Sequence, residues 1–171
     1  MNISRILVGI TVAGAAAAVF SNTGPTEDKT DRDQSGEIVE AGGVGAFALR
    51  LGDCIQNPDA EGVVSIVVSV EGVPCATPHD AQVYAEFDVT GILEYDEAAV
   101  ELLAQQECID RWTEAIGTVF WEDLLLDSFS LFPSPASWAV GDRGVVCLLV
   151  SIDGSPLSGS RLRDNPSGDT P

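Results

Sequence analysis

In 171 residues the chain sets 27 Asp and Glu against 8 Lys and Arg, a formal net charge of −19. A surface of that sign repels phosphate backbones and anionic lipid head groups, which sets nucleic-acid binding aside as a function. One Lys (Lys29) against seven Arg, amid abundant Ala, Gly, Val and Asp, fits a GC-rich coding genome such as an actinobacterial one.

The first segment reads as an address. Met1–Arg5 is a short, weakly basic start, Ile6–Phe20 an uncharged apolar run, and Ser21–Pro25 a small-residue exit. That layout is an export signal, assigned to residues 1–21, with cleavage suited to Val19-Phe20-Ser21 or Ala16-Ala17-Ala18. A comfortable bilayer span takes about 20 apolar residues, so the run is short for one. A signal anchor holding the protein to the membrane through residues 6–20 is the alternative. On either reading the rest of the chain is expected to be extracytoplasmic, secreted or anchored to the cell membrane.

Residues 22–43 are rich in Thr, Asp, Glu, Gly and Ser and have little to bury, so they are expected to form a disordered acidic linker. Residues 44–152 hold the cysteines, the tryptophans and most long aliphatics, which is the size of one domain. Residues 153–171 read as a flexible tail. Within the domain, Val63–Val73 is β-branched and predicts a buried strand bent at Gly72. Ala81–Val89 alternates Val83, Ala85, Phe87 and Val89 against Gln82, Tyr84, Glu86 and Asp88, the period of a half-exposed strand. The two are expected to pair as a hairpin with Pro78, His79 and Asp80 at its tip. From Tyr95 to Gly117 the period lengthens: Val100, Ala104, Cys108 and Trp112 fall on one helical face. Asp96 and Glu97 suit the helix start and Gly117 its stop. Ser128–Pro135 is expected to be a strand, Trp138–Asp142 a turn, and Gly144–Ile152 a central strand. The fold class that follows is α+β: an antiparallel sheet with one main amphipathic helix packed on one face, stapled by disulfides.

An even set of cysteines outside the cytoplasm predicts disulfides at Cys54, Cys75, Cys108 and Cys147. Four cysteines allow three pairings, and spacing alone selects none. The short loop between Cys54 and Cys75, and the shared core position of Cys108 and Cys147, favour those two pairs. Cys75, His79 and Asp80 could instead contribute to a zinc site, but the spacing matches no usual zinc knuckle. No nucleophile elbow, phosphate loop, HExxH or dinucleotide-binding glycine run is present. No catalytic residue, metal or cofactor is therefore assigned. A carboxylate pair of hydrolase type would be invisible among so many acids.

Gly52-Asp53-Cys54, Val73-x-Cys75-x-x-Pro78-His79-Asp80-Ala81-x-Val83, Cys108, Trp138-x-x-Gly141-Asp142-Arg143-x-Val145-x-Cys147 and Ser158-Gly159-Ser160 together resemble the septum-formation family of actinobacterial envelope proteins. The resemblance spans about Leu51 to Ser160. It implies a small exported or membrane-anchored domain linked to septation, with no catalytic residue to carry over. The expected function is a non-enzymatic module that binds another envelope protein or a cell-wall component. Its candidate binding residues are Pro78, His79 and Asp80, joined by Arg143. A cell-wall hydrolase using carboxylates is the alternative.

Overall fold

A computed structural model describes residues 5–8, 24–56, 58 and 65–163, with the backbone alone at 5–8, 65 and 66. The strands are β1 (Arg5–Val8), β2 (Asp31–Arg32), β3 (Ile38–Glu40), β4 (Gly42–Gly45) and β5 (Cys54–Gln56), then β6 (Ser65–Val67), β7 (Ser69–Val73) and β8 (Ala81–Asp88). Helix α1 (Glu97–Ile116) follows, then β9 (Leu126–Pro133), the single-turn α2 (Pro135–Trp138) and β10 (Gly144–Ser151). Among the described residues eight strands form one sheet in the order β4-β7-β5-β8-β10-β9-β1-β6, and β2 pairs with β3 separately. Each neighbouring pair is antiparallel.

Only Val68 separates β6 from β7, yet the two strands lie at or beside opposite ends of that order. One continuous run therefore serves both ends, and the sheet curls back on itself. Inside the curl lie Val44, Ile55, Val70, Val83, Leu131, Val146 and Leu148. On the outside, α1 covers Tyr84, Phe132, Val145, Cys147 and Leu149 with its stripe of Val100, Ala104, Cys108 and Trp112. β10 is buried on both faces, which explains its unbroken apolar sequence.

Helix α1 forms where its period predicts. The Asp96 carboxylate accepts the Ala99 N–H at 3.1 Å, satisfying one of the first-turn donors. Gly117 ends the helix at φ 91°, a left-handed conformation that a side chain would oppose.

Four expectations need correction. β5 lies between β7 and β8, so the two flanking strands are not a hairpin. The alternation in β8 breaks at a bulge: Cys147 faces Ala85 while Leu148 faces Val83, leaving Tyr84 extra. Val83 thus enters the inner core, whereas Tyr84, Ala85 and Phe87 meet the helix. Residues 24–43 are not a linker. Lys29 N–H donates to Gly43 O at 2.8 Å and Phe47 N–H to Pro25 O at 2.8 Å, laying this stretch along β4. A Cβ on Gly42 would sit 2.3 Å from Lys29 O, so the glycine-rich composition serves a close backbone approach. Nor are residues 153–163 a free tail, since Leu157 is 3% exposed and packed in the helix-side core. β1 falls within the stretch read as an export signal, and Ile-Leu-Val suits a strand as well as a signal core. Residues 9–23, the rest of that segment, and 164–171 lie outside the described residues.

Candidate functional site

Cys54 bonds to Cys75 and Cys108 to Cys147, the two favoured pairs, with Cα separations of 5.2 and 5.6 Å. The second ties the buried face of α1 to the central strand. The first joins the start of β5 to the turn after β7. With its sulfur in a disulfide, Cys75 is neither a thiolate nucleophile nor a zinc ligand. Among the described residues no group of three His, Cys, Asp or Glu is placed to hold a metal ion.

His79 is the least expected of the candidate residues. It is 1% exposed, not a solvated tip. Its N–H donates to Leu157 O at 3.0 Å and its carbonyl accepts the Leu157 N–H at 2.7 Å, a bridge closed by the C-terminal segment. Nδ1 lies 2.8 Å from Thr77 O. A carbonyl can only accept, so Nδ1 carries the proton and Nε2 the lone pair, and Nε2 is buried without a partner. Burial pushes the His79 pKa down and the Arg161 charge adds to this, against the Thr77 hydrogen bond and the Asp80 charge. The ring is held neutral. Pro78 is exposed and Asp80 half-buried, with the Asp80 N–H donating to Ile55 O at 3.0 Å.

Gln82 organises the same region. Its side-chain N–H group donates to Ser160 Oγ at 2.9 Å and to Gly52 O at 3.3 Å, while its Oε1 accepts the Arg161 N–H at 2.7 Å. Gly159 N–H donates to Cys75 O at 2.9 Å. Gly52–Cys54, Cys75–Asp80 and Ser158–Ser160, remote in sequence, thus meet around one disulfide and one buried amide.

Asp53, 3% exposed, receives a fork from Arg32: Nη1 to Oδ1 at 2.6 Å and Nη2 to Oδ2 at 2.9 Å. Arg32 Nε reaches Asp28 at 2.7 Å and Nη1 also reaches Gly36 O at 2.8 Å. Sequence reasoning missed this cluster because Arg32 lies in a stretch with little to bury. The Asp-Gln-Ser-Gly turn at 33–36 was the available sign of a small hairpin.

Arg143 stands apart from His79. Its carbonyl accepts the Val89 N–H at 2.8 Å, beyond the far end of β8. Eight residues of strand lie between, roughly 25 Å at about 3.3 Å per residue. The structure therefore corrects the expectation that Arg143 joins Pro78, His79 and Asp80. Its guanidinium lies 3.6 Å from the Trp138 ring centroid and donates to Trp138 O at 3.0 Å and Asp142 O at 2.6 Å. Asp142 Oδ1 accepts the Gly144 N–H at 3.0 Å, so the whole Trp138–Arg143 motif shapes the entry to β10.

The sequence model of the septum-formation family matches residues 51–163. The chain belongs to the septum-formation family. The matched span of this septum-formation protein begins beside Gly52-Asp53-Cys54 and ends with the strap over Gln82, so it takes in both disulfides. No curated protein and no solved structure matches the chain. Among the described residues no helix is long and apolar enough to cross a membrane.

Proposed function

We propose that this septum-formation protein is a non-enzymatic, extracytoplasmic module of the cell envelope that acts in septation by binding another envelope protein or a cell-wall component. The observation that carries this reading is the coincidence of the family match with a domain whose four cysteines are all in disulfides. Such bonds persist in oxidising compartments. Of the expected site, Pro78 is exposed beside the buried His79, and Ala76 and Thr77 just before it are exposed as well.

A carboxylate hydrolase needs one acid held protonated at working pH. Among the described residues, the carboxylates whose pKa this fold clearly shifts move the other way. The Gly24 N–H and Lys29 lower Glu27, and Ser35 lowers Asp33. Burial pushes Asp28 up, but Thr30 and Arg32 bring it below its usual range. Ser155 and Ser151 pull Asp153 down to about 2.

The test is a fusion to a fluorescent protein that matures outside the cytoplasm, imaged in dividing cells. Enrichment at septa is the expected result, and an even distribution or cytoplasmic retention overturns it. Incubating the purified protein with cell-wall sacculi checks the rival reading, which requires release of soluble fragments.

A further inference from the structure

Between α1 and β9 the chain exposes large apolar side chains in close succession: Val119 at 46%, Trp121 at 75%, Leu124 at 82% and Leu125 at 74%. Ile152, 55% exposed, lies beside them, its N–H donating to Leu125 O at 2.9 Å. Contiguous exposed apolar residues of this kind mark contact surfaces more often than scattered single ones do.

The loop is built to hold them there. Asp123 Oδ1 accepts the N–H groups of Leu125 and Leu126 at 3.0 and 3.1 Å, and Oδ2 accepts the Thr118 hydroxyl at 3.2 Å. Thr118 Oγ1 in turn accepts the Trp112 indole N–H at 3.3 Å. A run of edge-to-face rings leads out from the core: Tyr84 to Trp112 at 5.3 Å, Trp112 to Phe120 at 5.1 Å and Phe120 to Trp121 at 4.8 Å. Trp121 is thus a pre-positioned anchor whose docking costs little conformational entropy.

Charge selects the occupant. Neither Thr118–Asp127 nor Val150–Ser155 contains Lys or Arg, whereas Glu122, Asp123, Asp127 and Asp153 lie among the apolar residues. Arg163 packs over Gly117 at the adjacent helix end. A second copy of a chain with net charge −19 would bring acid against acid, and anionic lipid is repelled in the same way. A segment that alternates apolar anchors with Lys or Arg satisfies both the surface and its rim.

We propose that Val119–Leu125 with Ile152 is a docking surface for a basic, amphipathic segment of an envelope partner. This names a partner chemistry for the binding-module reading and rests on it.

The test uses the intact protein and a synthetic amphipathic Lys/Leu peptide, read by Trp121 fluorescence and by titration. The expected result is a blue shift with saturable binding, weakened about tenfold or more in L124S/L125S, whose melting temperature stays near that of the parent. Equal binding by parent and variant reduces the effect to general acidic attraction and overturns the proposal. No peptide binding overturns it too. A blue shift with phosphatidylcholine vesicles but not with the peptide assigns the surface to lipid, and self-association abolished by L124S/L125S assigns it to a second copy; either result overturns the proposal. The parent's localisation separates the two readings. Septal enrichment without peptide binding sinks this surface alone, whereas absence of the parent protein from septa sinks the module reading.

Discussion

Arg32 donates to Asp53 twice, to Asp28 and to Gly36 O, with its side chain only 10% exposed. Removing one partner of a buried pair leaves the other charge desolvated and unmatched, at a cost of about 3–5 kcal/mol. Arg32→Ala should lower the urea midpoint accordingly. Arg32→Lys should recover only part of the loss, because an ammonium cannot present the planar fork. His79 titrates to the opposite disadvantage. Its folded pKa lies below the ordinary 6.5, so between the folded value and 6.5 the unfolded chain holds more protons. That contribution to stability is complete above 6.5 and shrinks as pH falls to the folded value. Denaturant midpoints at about pH 7.5 and about pH 5 should therefore differ more in the parent than in His79→Gln, which cannot titrate there.

Among the elements, the C-terminal strap makes the clearest forecast. Leu157 fills the helix-side core, and Ser160 with the Arg161 backbone satisfies Gln82, itself 1% exposed. Ending the chain after Ser155 opens that core and frees the Gln82 amide, a combined loss of about 3 kcal/mol or more. Helix α1 was legible because four residues at spacing four record its buried face directly. The strap was not, since Leu157, Ser160 and backbone hydrogen bonds carry it and no periodicity accompanies them. The bulge at Tyr84 and the insertion of β5 beside β8 were equally silent, because local alternation does not encode the neighbouring strand.

At the scale of the molecule, like charges dominate the surface and oppose compaction. Added salt screens that repulsion while the buried Arg32–Asp53 pair is little affected. Raising sodium chloride from about 0.02 to about 0.5 M should raise the melting temperature, and a fall would show that attractive surface pairs prevail. The α+β class, the helix face and the central strand followed from hydrophobic pattern. Residues 24–43 did not, because backbone hydrogen bonds, glycine approaches and one arginine hold them, with Ile38 the one large aliphatic they bury. The expected site dispersed for a related reason. His79 and Arg143 look alike in sequence as charged or polar residues beside motifs, yet each stabilises its own end of β8.

The disulfides carry one more consequence. Cys54 joins the next cysteine in the chain, Cys75, and Cys108 joins Cys147, so neither bridge spans a cysteine of the other. A polypeptide threaded through a membrane N-terminus first presents its thiols to an oxidant in just that order. Pairing each new cysteine with the one before it yields the native set, and no shuffling step is required to correct it. In a chain exported as proposed above, a simple thiol oxidase without an isomerase beside it should be enough to form both bridges.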